Sequence, residues 1–442
     1  MSETRRDFLR SSAVVAGAVT MGGVLSAVPA VHAAENNTIK LAVIGCGGRG
    51  RGAMVQALCA DKNVQLWAVA DAFVDKAKDA VNVATEAVED QVNVSEDRIF
   101  VGLDAYKKAI DSLEPGDVVL LTTPPAFRPL HFAYAVERGV NIFAEKPLAV
   151  DIPGLKQLQA ANEIAKSKGL HVAVGLNNRH YLRTEETVKA IQDGQIGEIT
   201  SMWVNRMHST HRPSAIGEYT LLQHQLRNIF IFNWTTGGFI VDALIHNIDI
   251  CCWAKGELPV RTQGQGGRIH RTYQDQMIDM GAIEYEFADG RKLMVQAKTM
   301  DNIWNSFFGV VHGTKGSAIL GEGVNTPRLY EGFRAAANEG KVIWESTADQ
   351  NNSYQTEHDL FFRAIRAGEP WNELDRGIGA TFTAIFGRMG METGQMLTAD
   401  DAWNSTFSYV PDIANMTIDS EAPVLPDENG NYPQPIPGIT TY

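Results

Sequence analysis

Thr38-Ile39-Lys40-Leu41-Ala42-Val43-Ile44-Gly45-Cys46-Gly47-Gly48-Arg49-Gly50 decides the fold. Its first half is a short apolar run of the kind buried on both faces of a parallel sheet. Its second half is G-x-G-x-x-G, and Ala53-Met54-Val55-Gln56-Ala57-Leu58 carries on as a helix. A strand that ends in such a loop and opens a helix turns backbone N–H groups, at the positive end of the helix dipole, toward a pyrophosphate. Gly45 allows the tight turn, Gly47 lets the backbone approach the phosphates, and Gly50 lets helix and strand pack closely. Gly48 and Arg49 complete the loop that would hold a dinucleotide.

A second apolar strand, 64–70, ends in Asp71. That is about 20 residues beyond Gly50, where a ribose-binding acid belongs. A carboxylate there accepts from a ribose diol and repels a 2′-phosphate, so NAD is favoured over NADP. The alternation then continues. Residues 73–88, 106–113, 130–138 and 151–168 read as helices, and 98–101, 117–123, 141–144 and 170–175 as strands. Strands alternating with helices imply an α/β, doubly wound parallel sheet.

After about residue 200 the pattern changes. Strand-like runs recur at 199–207, 259–268, 282–287, 292–297, 307–312 and 317–320, with a hairpin turn at Ala288-Asp289-Gly290. Helices return at 354–367 and about 376–393. Residues 36–176 are read as a cofactor domain and 177–421 as a domain for substrate and assembly. Residues 422–442 hold five prolines and are read as an extended arm.

The chain of 442 residues is 44% hydrophobic and 21% charged, which excludes a mainly disordered chain and a polytopic membrane protein. Its formal charge of −13 makes it a poor partner for polyanions, so no nucleic acid is expected. Cys46, Cys59, Cys251 and Cys252 lack zinc-ligand spacing and read as buried free thiols.

The first 33 residues stand apart. A charged start is followed by an uncharged Ala/Val/Gly-rich run, 11–31, and by small residues at Val31-His32-Ala33. This is a signal peptide with cleavage near Ala33. Thr4-Arg5-Arg6-Asp7-Phe8-Leu9-Arg10 resembles the twin-arginine export signal. The resemblance implies passage of a folded protein through the twin-arginine export machinery to the periplasm.

Lys146, in Glu145-Lys146-Pro147, falls at the carboxyl end of a parallel strand, where open α/β sheets place their ligands. About 100 residues on, Gly237-Gly238 leads into a helix bearing Asp242 and His246. Four-residue spacing puts that pair on one helix face, and a histidine beside a carboxylate suits a general base. A lone D-x-x-x-H is more often a satisfied core histidine.

Taken together, the glycine loop 45–50, Thr123-Pro124 with His131, Glu145-Lys146-Pro147, and Gly237-Gly238 with Asp242 and His246 resemble the Gfo/Idh/MocA oxidoreductases. The resemblance implies an N-terminal Rossmann domain and a C-terminal α+β domain with a large, mostly antiparallel open sheet. It implies that Thr123, Pro124, His131, Glu145 and Lys146 contact the cofactor, and that Lys146 also contacts the reacting hydroxyl. Asp242 and His246 would be the proton-transfer pair, and Lys146–Pro147 a cis peptide. It implies a homo-oligomer, dimer or tetramer. One departure is the longer spacing from Thr123-Pro124 to His131, through Pro125 to Leu130. His246 and Asp71 fit the inositol dehydrogenase branch better than the glucose–fructose oxidoreductase branch.

Polar and aromatic residues crowd the segments around the catalytic helix: Asn178, Arg179, His180 and Tyr181, then Asn205, Arg206, His208, His211 and Arg212, then Arg227, Asn233 and Trp234. A sugar site needs hydroxyl-binding groups and an aromatic platform, and Arg179, Tyr181, Arg227 and Trp234 are the substrate-binding candidates. His208 and His211 lack a third ligand at suitable spacing, so no metal is expected. The expectation is an exported oxidoreductase moving a hydride between a carbohydrate or cyclitol hydroxyl carbon and a tightly held NAD. One alternative is an NAD-dependent glycosidase that oxidises, eliminates, adds water and reduces again. Another is a non-catalytic sugar-binding protein on the same fold.

Overall fold

The protein is described from a computed structural model covering residues 37–214, 217–321 and 323–442. The export signal at 1–33 lies outside the described residues.

Six parallel strands form the first sheet: β1 (Ile39–Ile44), β2 (Val64–Asp71), β3 (Ile99–Val101), β4 (Val118–Leu121), β5 (Asn141–Ala144) and β6 (Val172–Val174), in the order β3-β2-β1-β4-β5-β6. Strand order reverses at β1 and β4, which opens a crevice at their carboxyl ends. β4 and β5 are buried throughout, because helices cover both faces. Local signals set the helix ends. Helix Arg128–Arg138 stops at Gly139, whose φ of 73° suits glycine. Helix Ile152–Ser167 starts at Asp151, whose carboxylate accepts from Gly154 N at 2.9 Å.

The second sheet uses β7 (Ile199–His208), β8 (Arg261–Gly267), β9 (Met280–Glu286), β10 (Lys292–Thr299), β11 (Ser306–Gly313), β12 (Gly316–Leu320), β13 (Arg328–Glu331), β14 (Val342–Glu345) and β15 (Leu397–Thr398). Their order is β14-β13-β12-β11-β7-β10-β9-β8-β15, and only β7 with β10 runs parallel among the described strands. Helices Gly238–Lys255 and Leu374–Thr393 pack on each other and on this sheet. Close approach depends on glycine: a Cβ on Gly387 would lie 1.9 Å from the Tyr285 hydroxyl. The stretch Asn233–Lys255 is apolar and long enough to cross a membrane, yet most of it is buried in the fold.

The structure adds elements the sequence reading omits, namely β13 to β15 and helices Leu182–Gln192 and Leu221–Arg227. Helix Ser353–Ala367, assigned by sequence to the second domain, packs on the glycine-loop helix Gly48–Ala60, and Phe361, Phe362 and Ile365 share a core with Leu41, Val43 and Leu58. Cys59 departs from expectation: it is exposed, on the outer face of its helix, while Cys46, Cys251 and Cys252 are buried. The arm 422–442 folds back on its own chain. Gln225 Nε2 donates to Val424 O at 2.6 Å, Tyr432 stacks edge-on against Phe232 at 5.1 Å, and the Tyr442 hydroxyl donates to Glu392.

Candidate active site

The glycine loop is built by exclusion. Gly45 has φ 96°, and a Cβ there would meet Thr123 N at 2.6 Å. A Cβ on Gly50 would lie 1.9 Å from Gly45 O, so helix and strand touch backbone to backbone. Gly47 differs, since a Cβ there meets nothing within 4 Å and would enter the cleft. The cleft, of about 320 Å³, is lined by Gly45, Gly47, Gly48, Asp71, Thr123, Pro124 and His131 among others. Backbone amides at a helix N-terminus beside an open glycine fit a dinucleotide pyrophosphate. Asp71 accepts from Cys46 N at 2.7 Å and from Phe73 N at 2.9 Å. Burial raises its carboxyl above the ordinary value, and the two amides oppose that shift. Its position at the end of β2 leaves it on the cleft wall, as a ribose partner requires.

Across the cleft, His131 stacks on Tyr106 at 4.1 Å and on Phe127 at 6.0 Å. Its Nδ1 is 3.2 Å from Thr123 Oγ1, and its buried Nε2 has no hydrogen-bond partner among the described residues. Burial and then Arg128 lower its pKa to about 3, so the ring is neutral. A neutral ring with an unsatisfied buried nitrogen fits a polar group of a bound nicotinamide. The longer spacing noted in the sequence forms a turn that supplies Arg128, itself buried. The Arg128 guanidinium donates to the carbonyls of Thr123 and Pro147, tying the two cofactor-side segments together.

The Lys146–Pro147 peptide is cis. Lys146 Nζ donates to Asp242 O at 3.0 Å and lies 3.7 Å from Asp242 Oδ1. His246 follows one turn later on the same helix and is 5% exposed. Burial, then Lys146, Arg206 and Arg49, hold its pKa well below 6.5, so its imidazole is neutral near pH 7. The residues named from sequence therefore converge, but the Asp242 carboxylate lies against Lys146. Arg49 and Glu145 also meet, from the loop and the strand end. Arg49 Nε bonds Glu145, and its Nη2 bonds Glu357 Oε1 at 3.1 Å. Glu357 has no sequence signal, because it acts across more than 300 residues of chain.

The substrate candidates separate. Trp234 is 1% exposed, with Nε1 donating to Gln225 Oε1 at 2.7 Å, so its ring belongs to the core. Arg179 forms two 2.8 Å bonds to Asp249 and lies over Trp253, bracing helix Gly238–Lys255. The Tyr181 hydroxyl donates to Asn325 O at 2.8 Å and fixes the turn before β13. Arg227 lines the dinucleotide cleft beside Phe73. His208 and His211 come to helix Gly238–Lys255 instead. Their rings are 5.3 Å apart, and His208 lies 5.2 Å from Phe239. Burial lowers the His208 pKa to about 4 and lowers that of His211 too, with the Asp242 charge opposing the latter shift.

Fold and site together define a two-domain oxidoreductase that binds a dinucleotide at the switch point of its parallel sheet. Residues 39–176 match the family described as "Oxidoreductase family, NAD-binding Rossmann fold", and residues 185–319 match the "GFO/IDH/MocA C-terminal domain". The chain belongs to the Gfo/Idh/MocA oxidoreductase family. It is 29% identical over 338 residues to the inositol 2-dehydrogenase of Burkholderia vietnamiensis, covering 75% of this chain and 87% of that one. It is 26% identical over 211 residues to the scyllo-inositol 2-dehydrogenase (NAD(+)) of Bacillus subtilis, covering 47% and 56%. The fold is shared with the aldose–aldose oxidoreductase of Caulobacter crescentus, with a TM-score of 0.63 at 15% identity over 82% of this chain and all of that one. Levoglucosan dehydrogenase shares it with a TM-score of 0.62 at 18% identity, over 82% of this chain and all of that one.

Proposed function

We propose that this protein oxidises a ring CH–OH of a cyclitol or sugar, or performs the reverse reduction, with NAD as a tightly held cofactor. The observation that carries this reading is the meeting of Lys146 and Asp242, with a neutral, buried His246 one turn on; Lys146 follows β5, the neighbour of β4, whose following Thr123 lines the dinucleotide cleft. The bound nicotinamide would supply the hydride acceptor. His246 would take the hydroxyl proton, and its low proton affinity in the folded state keeps the accepting form populated. Lys146 would hold the substrate oxygen as negative charge develops there. Asp242 orients Lys146 through its carbonyl and carboxylate. His208 and His211 offer neutral ring nitrogens for other ring hydroxyls. The inositol dehydrogenase relatives support the substrate class.

The twin-arginine resemblance of residues 4–10 supports a periplasmic setting for this activity. Free dinucleotide is scarce outside the cytosol, so a cofactor lost at each turnover would not be replaced. NAD is therefore retained, and its oxidation and reduction are completed on bound substrates. The test is to purify the protein from its native compartment, denature it and assay released nucleotide. Its sugar and cyclitol range follows from the rise of reduced-nicotinamide absorbance in the intact holoprotein. Protein that carries no nucleotide, with only weak uptake of added NAD, would sink the retained-cofactor reading. Leaving-group release from a chromogenic glycoside, with solvent deuterium appearing in the sugar, would replace dehydrogenation with redox-assisted hydrolysis.

A further inference from the structure

The dinucleotide cleft has two walls from distant parts of the chain. One runs from Asp71 through Phe73 to Lys76, at the end of β2 and the start of helix Val74–Val88. The other is Leu226, Arg227, Ile229 and Phe230, at the end of helix Leu221–Arg227 and in the turn after it. Arg227 joins them. Its Nη2 and Nη1 donate to Asp75 Oδ1 and Oδ2 at 2.8 and 3.1 Å, a two-pronged bond that ties the start of helix Val74–Val88 to the end of helix Leu221–Arg227. The guanidinium centre lies 4.0 Å from the Phe73 ring and 4.7 Å from the Tyr219 ring. Helix Leu221–Arg227 is itself held from behind, where Gln225 binds both Trp234 and Val424 O.

We infer that Arg227 and Asp75 form a clasp that holds the cleft closed over the ribose end of the bound dinucleotide and sets its release rate. This rests on the retained-NAD reading above. The cofactor lies between the walls, so its departure requires them to part, and the pair spans that gap. Arg227 is thereby assigned to cofactor retention and not to the sugar.

The test follows NADH fluorescence while excess NAD displaces it from loaded protein. Asp75→Asn, which keeps shape and removes charge, should speed release by about threefold, and Arg227→Ala, which also removes the ring stack, by tenfold or more. Raising ionic strength from about 0.05 to 0.5 M should speed release in the wild type and not in Asp75→Asn. Arg227→Asp combined with Asp75→Arg should recover most of the slow release. Asp75 is half exposed, so Asp75→Asn keeps the test usable if Arg227→Ala fails to fold. If both single variants release NADH at the wild-type rate, the clasp is overturned while the cofactor reading stands. If the wild type takes up no NADH, both fall together.

Discussion

Lys146 Nζ lies 3.0 Å from the main-chain oxygen of Asp242 and 3.7 Å from its carboxylate. The strand-end lysine of one domain is thus docked on the first turns of helix Gly238–Lys255 of the other. Removing the cation while keeping the bulk, as in Lys146→Met, should lower kcat by about 10²–10³. The dissociation constant for NADH should change far less. A variant with near-normal kcat would remove Lys146 from the chemistry.

Gly47 and Gly50 make opposite predictions from the same motif. Gly50→Ala drives a methyl into Gly45 O, so the variant should lose several degrees of Tm and most of its NADH binding. Gly47→Ala meets only the cleft, so Tm should hold while NADH affinity falls. Calorimetry paired with nucleotide titration separates the two. Equal loss of Tm in both variants would contradict the geometry.

Asp71 shapes the loop from the cleft wall, where the proposed cofactor's ribose would lie. Asp71→Asn places an amide opposite two backbone N–H groups that now find carboxylate oxygens. NADH affinity should drop about tenfold, and the preference over NADPH should shrink because a repelling charge is gone. An unchanged NADH to NADPH ratio would argue against a ribose role.

His131 supplies an acid-sensitive share of stability. Unfolded, its ring takes up a proton below about pH 6.5. Folded, burial delays that uptake to about 3. The unfolded state therefore binds more protons throughout this window, and stability is lost as pH falls from about 6.5 toward 3. His131→Phe, which keeps the stack on Tyr106, should reduce the loss between pH 7 and 5 by about 2 kcal/mol. Urea midpoints at the two pH values give the comparison, and identical slopes in both proteins would refute it.

Much of the first domain was legible because its signals are local. The run 38–50, the apolar strands and the helix-stopping glycines each act within a few residues of chain. The motifs singled out Lys146, Asp242 and His246, and the fold brings Lys146 onto the helix that carries the other two. What the sequence hid depends on distance. Trp234 reads as a sugar platform until Gln225 and the core enclose it. Arg227 reads as a substrate group until the fold brings Asp75 and Phe73 to it. Glu357 gains meaning only where helix Ser353–Ala367 returns to Arg49. One missed helix did carry a signal: Thr220 and Gln223 form a capping box just before Leu221–Arg227.

On the export route proposed here, the burial of Asn233–Lys255 constrains the order of events. A channel that threads an unfolded chain senses apolarity alone, and such a stretch would slip sideways into lipid and lodge there. Sealed between the second sheet and helix Leu374–Thr393, it offers lipid no greasy face. On the twin-arginine route proposed here, folding in the cytosol hides a membrane-stalling segment as well as loading the cofactor, so one early step removes two hazards of the journey.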